Sequence, residues 1–176
     1  VIKVDQTDEE IIRDEITEYV VTDAIRTHYT GIFEAYREAP NKPTDGVSIW
    51  VSGFFGSGKS SFAKMLGLSI SNRKVSGEGA AARFVARAGD NRIGALLSGI
   101  NERIPTHAVI FDVSTDKGIK SGNQTMTEIM YRLFLQSLGY AKDLDLSELE
   151  IVLEEQKRLD VFTDTYKRLY KKDWDK

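Results

Sequence analysis

Eight consecutive residues carry the clearest chemistry in the chain: Gly53-Phe54-Phe55-Gly56-Ser57-Gly58-Lys59-Ser60 fills every fixed position of the pattern G-x-x-x-x-G-K-[ST]. A polyphosphate needs many donors converging on a small volume. Backbone N–H groups can supply them where no Cβ holds the chain away, which accounts for glycine at 53, 56 and 58. Lys59 adds a mobile positive charge for the β- and γ-phosphates, the catalytic role in such a loop. Ser60 offers a hydroxyl to Mg²⁺, and a helix starting here would point the positive end of its dipole at the anion. Phe54, Phe55 and Ser57 complete the loop and Ser61 follows it. The bland alternative is a glycine-rich turn that binds nothing.

The flanks must position that loop. Val47-Ser48-Ile49-Trp50-Val51-Ser52 has the β-branched and aromatic composition of a strand, and Phe62, Met65, Leu66 and Ile70 recur at helical spacing after the loop. His107-Ala108-Val109-Ile110-Phe111-Asp112-Val113 reads as a second, buried parallel strand. Asp112 at its end is either a Walker-B carboxylate or a cap on the turn toward Asp116-Lys117-Gly118. The fold expected from these elements is α/β: an incomplete P-loop NTPase of three αβα layers with a helical N-terminal lead-in.

Residues 1–40 form that lead-in. Thr7-Asp8-Glu9-Glu10 reads as a capping box opening one helix, and Thr22-Asp23 opens a second with Ile25, Tyr29, Ile32, Phe33 and Tyr36 on its apolar face. These helices pack over the sheet, or, as the sharper possibility, the joint Tyr19-Val20-Val21 lines an adenine pocket, since a base needs flat apolar contacts plus backbone hydrogen bonds. Residues 41–176 are expected to be the first part of an ATPase domain that continues beyond this chain. Helices are predicted over 80–88 and 91–102, the latter behind an Asp90 cap, then from Thr125 to a stop at Gly139, around Ser147–Lys157 and around Asp160–Lys171.

Charge is uneven along the chain. Residues 1–40 carry 10 acidic and 4 basic side chains, whereas 41–140 carry 12 basic and 7 acidic, so the positive excess surrounds the loop. That suits an anionic ligand and falls short of the basic stripe of a duplex-binding face. Arg73, Lys74, Arg83, Arg87 and Arg92 read as a solvated surface, with a partner contact as the minority reading. Zero cysteines exclude disulfides and thiolate metal sites and point to a reducing cytoplasm, and no run approaches 18 apolar residues. An hhhhD-[DE] strand, a catalytic Glu, an arginine finger and an N-K-x-D segment are not found. The chain begins at Val1, and these features together read as an interior piece of a longer ATPase.

Val1-Ile2-Lys3-Val4-Asp5-Gln6, Glu18-Tyr19-Val20-Val21-Thr22, the stretch Ile49 to Ser60 with its double phenylalanine, Phe62-Ala63-Lys64-Met65-Leu66 and Leu138-Gly139-Tyr140 resemble a known family. It is that of the large P-loop ATPases of BREX-type bacterial anti-phage systems, BrxC, and their relatives in phage growth limitation, PglY. The similarity runs to Trp174 and so covers essentially the whole chain. The resemblance implies a cytoplasmic, AAA+-like ATPase using ATP and Mg²⁺. It also implies a homo-oligomer or multi-protein complex working beside a methyltransferase and a phosphatase-like protein, on or near DNA. Residue by residue it carries over only Gly53, Gly56, Ser57, Gly58 and Lys59 to phosphate and Ser60 to Mg²⁺; where many members have His, this chain has Ser61. The competing reading is a nucleotide-gated scaffold with little hydrolysis.

Overall fold

The computed structural model describes residues 8–42, 46, 48–111 and 126–174, without the side chain of Met126. It divides into two units, Val1–Asp112 and Val113–Lys176.

In the first unit, α1 (Glu9–Glu18) begins at Asp8, whose Oδ1 accepts from the Glu10 and Ile11 N–H groups at 2.9 and 3.4 Å. The capping residue is therefore Asp8; Thr7, the expected one, lies outside the described residues. α2 (Asp23–Glu38) starts as its sequence predicts, with Thr22 Oγ1 accepting from the Ile25 N–H, and passes into a 3-10 turn at Ala39–Asn41. α3 (Lys59–Ser71) ends at Asn72 in the left-handed region. A hairpin of β1 (Lys74–Val75) and β2 (Glu78–Gly79) follows, with Ser76 at φ 50° and Gly77 at φ 81° making the two-residue turn that antiparallel strands favour. α4 (Ala80–Ala88) and α5 (Asn91–Arg103) complete the unit, α5 being capped by Asp90, whose Oδ1 accepts from Arg92 and Ile93 at 2.8 and 3.1 Å.

The three-layer αβα expectation is overturned. Among the described residues there are eight α-helices, and the sole sheet is this short antiparallel hairpin. Residues 48–52 and 104–111 run without strand pairing. Both have strand-like composition, but β-propensity describes how side chains fit a pleated surface, and a strand exists only where a neighbour supplies the ladder. Described residues 107–111 instead follow α3. A Cβ built on Gly67 would meet Ile110 Cδ1 at 2.7 Å and Ala108 Cβ at 3.7 Å, so the glycine lets this segment close on the helix.

The core is helix on helix. Ile12 and Ile16 of α1, Tyr29 and Phe33 of α2, Met65 and Leu68 of α3, Phe84 of α4 and Ile93, Leu97 and Ile100 of α5 are buried together. Tyr29 is the hub. Its ring stacks on Phe33 at 5.6 Å and Phe62 at 4.4 Å and meets Phe84 edge-on at 4.8 Å.

The second unit contains α6 (Met126–Ser137), α7 (Leu144–Glu155) and α8 (Leu159–Tyr170). Gly139, at φ 93°, ends the α6 stretch where the sequence placed a stop. Buried Glu150 of α7 organises the unit: its carboxylate accepts from the Ala141 N–H at 2.7 Å and from Trp174 Nε1 at 2.5 Å. Trp174 in turn meets the Phe162 and Tyr166 rings edge-on. Among the described residues no helix is long and apolar enough to cross a membrane.

Candidate functional site

Between the 48–52 segment and α3 the chain turns back on itself. The Ser57 N–H donates to Phe54 O at 3.2 Å, closing a turn at the loop tip. Gly56 (φ 78°) and Gly58 (φ 86°) occupy the left-handed region, where a side chain would be strained. Gly53, at φ 158°, also has backbone that side chains rarely adopt, and a Cβ there would displace the Ser57 hydroxyl, 2.7 Å away. All three glycines of the motif thus sit at positive φ, which is the physical reason for glycine there.

Gly58 is the N-cap of α3 and contributes no side-chain acceptor, while its carbonyl accepts from the Phe62 N–H at 2.9 Å. The first N–H groups of a helix have no intrahelical carbonyl to bond, so those of Lys59, Ser60 and Ser61 point out of the N-terminus as donors. Lys59, the first residue of α3, folds back across the loop. Its Nζ donates to Gly53 O at 2.9 Å and Phe54 O at 2.7 Å. An ammonium has three N–H donors, so two fix its position and one is left for a ligand. Backbone donors, a dipole end and a fixed cation are the chemistry of an anion site.

The mouth is open. Every residue from Ser52 to Gly58 is exposed, with Phe54 91% and Phe55 103% exposed, so both rings project into solvent. Lys59 and Ser61 are half-buried and Ser60 is exposed. Mg²⁺ takes few protein ligands beside phosphate and water oxygens. The exposed Ser60 hydroxyl, on the second residue of α3, meets that modest requirement. Among the described residues no group of three or more His, Asp or Glu converges as a metal site. Asp112 lies outside the described residues.

The other expected site residues end up elsewhere. Tyr19 closes α1 with its ring against Tyr29 and Phe84, and its carbonyl accepts from Arg87 Nε at 2.6 Å. Val20 is exposed and Val21 packs against the core. The joint thus presents Val20, while the Tyr19 ring is committed to packing.

Side chains link the joint to the loop helix. Tyr29 Oη lies 3.0 Å from Phe62 O and 3.2 Å from Tyr19 Oη. A carbonyl can only accept, so Tyr29 donates to Phe62 and Tyr19 donates to Tyr29. Burial pushes the Tyr29 phenol far above its ordinary range and raises that of Tyr19 as well, so both hydroxyls keep their protons.

Two contributors were not foreseen from the sequence. Lys64 of α3 is buried and donates to Glu15 of α1 at 2.5 Å, an ion pair spanning 49 positions. Its signal was present: Lys64 lies one turn before Leu68 on a face that also holds Met65. The basic stretch also has internal work. Arg83 Nε donates to Val75 O, Arg87 to Tyr19 O, and Arg92 pairs with Glu34. Arg26 of α2 donates to Ala88 O at the end of α4.

Fold and site together define a helical protein with a glycine-rich, lysine-closed loop at a helix N-terminus. No family model matches the chain, and no solved structure matches it.

Proposed function

We propose that residues 53–60 bind the triphosphate of ATP together with Mg²⁺. The observation that carries this is Lys59, held over the loop by the Gly53 and Phe54 carbonyls where the first amides of α3 emerge. Phosphate would meet the amides of Gly56 to Ser60 and the ammonium of Lys59, with Ser60 on the metal. Ser61 and the tip residues Phe54 and Phe55 would border the bound nucleotide, and of the Tyr19-Val20-Val21 joint only the exposed Val20 is left to meet a base. The loop residues neutralise charge and orient phosphates; hydrolysis requires in addition a group that positions water.

Through the resemblance in the motif and its flanks, we place this nucleotide site in a cytoplasmic bacterial anti-phage ATPase. Its nucleotide state would govern assembly with itself, with a methyltransferase and a phosphatase-like protein, and with DNA. Calorimetric titration of the chain with ATP, with and without Mg²⁺, tests the binding step. A saturable one-to-one event that strengthens with Mg²⁺ is expected, and no binding at millimolar ATP would contradict it. Phosphate release by the full-length protein then separates an ATPase from a nucleotide-gated scaffold.

A further inference from the structure

We infer that Tyr29 is a positioning residue for the phosphate site, aligning the first turn of α3 through its hold on Phe62. The inference rests on the phosphate-binding reading above. Tyr29 holds Phe62 at two points: ring stacks on ring at a centroid separation of 4.4 Å and an interplanar angle of 24°, and the phenol donates to the Phe62 carbonyl at 3.0 Å. Phe62 is three residues after Lys59, and its N–H is bonded to Gly58 O, so this grip acts on the turn that aims the donor amides. An anion site works only if its donors are already aimed, and donors are held in aim by the groups behind them. Tyr19 donates its hydroxyl to Tyr29 and is itself anchored by Arg87. Two hydrogen bonds in series, Tyr19 to Tyr29 and Tyr29 to Phe62, therefore link the α1–α2 joint to the phosphate helix, while Arg87 of α4 holds the backbone carbonyl of Tyr19.

The relay makes the phosphate end of the site responsive to the joint. Whatever settles on Tyr19-Val20-Val21 acts on Tyr19, and through Tyr29 on the helix whose amides receive phosphate. No contact between the joint and the phosphates is required.

The test uses inorganic triphosphate with Mg²⁺ on the full chain. This ligand has no base, so a loss of affinity cannot come from a base contact. Tyr29→Phe keeps the stacked ring and removes the donor. It is expected to weaken triphosphate binding several-fold, up to about tenfold for the loss of one hydrogen bond. The amide resonances of Lys59, Ser60 and Ser61 should be displaced in the unliganded variant. Tyr19→Phe is expected to weaken binding less and in the same direction, and it serves if Tyr29→Phe fails to fold. Leu97→Val, a destabilising change in the α5 core, is expected to leave the affinity unchanged. Tyr29→Phe or Tyr19→Phe binding like the wild type would overturn the relay and leave the phosphate site standing. Equal losses in Tyr29→Phe and Leu97→Val would also overturn the relay, reducing it to general stability. A wild-type chain that does not bind triphosphate overturns the phosphate reading and the relay with it.

Discussion

Lys59→Ala is expected to weaken Mg-ATP binding by roughly 100-fold, about 3 kcal/mol, the scale of one or two hydrogen bonds to a charged group. The side chain has two tasks. In the proposed site it would supply a positive charge to the triphosphate, and by bonding Gly53 O and Phe54 O it holds the two sides of the loop together. Alanine removes both. The fold should survive, because the ammonium bonds to exposed loop carbonyls and the α3 core contacts come from Met65 and Leu68. Lys59→Arg is a discriminating companion. Its planar guanidinium cannot reproduce the point-like reach of an ammonium to two carbonyls and a phosphate, so it should rescue little of the affinity. Calorimetry measures the affinity, and thermal unfolding checks that both variants are folded. Retained affinity in folded Lys59→Ala would mean that the ammonium is only a structural clasp.

Glu15→Ala is expected to cost about 3 kcal/mol of stability in the first unit, the low end for breaking a buried ion pair. The low end applies because the Glu15 side chain keeps 15% of its exposure while that of Lys64 keeps 2%. Removing the carboxylate takes one charged partner from an ammonium that remains in the core. Glu15→Leu combined with Lys64→Met should recover most of the loss, since an apolar pair of similar volume escapes the desolvation cost of both ions. Hydrogen exchange of the α1 and α3 amides reads the effect locally. A cost well under 1 kcal/mol would show that the pair behaves as a surface pair. The two variants also separate two roles along α3: the proposed ligand contact of its first residue, and the anchoring of the helix to α1 by its sixth.

Much of the helical layout was legible because its signals are local. Thr22 and Asp90 are side-chain caps within three residues of the amides they satisfy, and Gly139 is a stop that works through its own φ. The glycines of the loop were legible for the same reason, since positive φ at 53, 56 and 58 is a local property. The sheet was not. Ile49-Trp50-Val51 and Val109-Ile110-Phe111 have strand composition, but pairing is a non-local property, and in this structure the described parts of both segments lie without a ladder. Trp50, 91% exposed, belongs to such a segment. The hairpin at Lys74–Gly79 was not legible either, because two residues per strand are too few to show alternation.

Long-range pairs were also hidden. Nothing local marks Lys64 as the partner of Glu15 or Tyr29 as the donor to Phe62, since these contacts span 49 and 33 positions. Tyr19 shows the converse. Its place at a helix joint suggested a base contact, whereas its ring packs on Phe84 and Tyr29 and its hydroxyl feeds the relay.

The central claim is that the backbone of Gly53 to Ser60 is an anion nest already formed before ligand arrives. Backbone amide NMR during titration with Mg-ATP tests it most directly, because it reports on the donors themselves. The account predicts that the Gly56, Gly58, Lys59 and Ser60 amide resonances move together and saturate at one equivalent, with little change along the α5 core. Saturable binding that leaves those four resonances in place while others shift would contradict it.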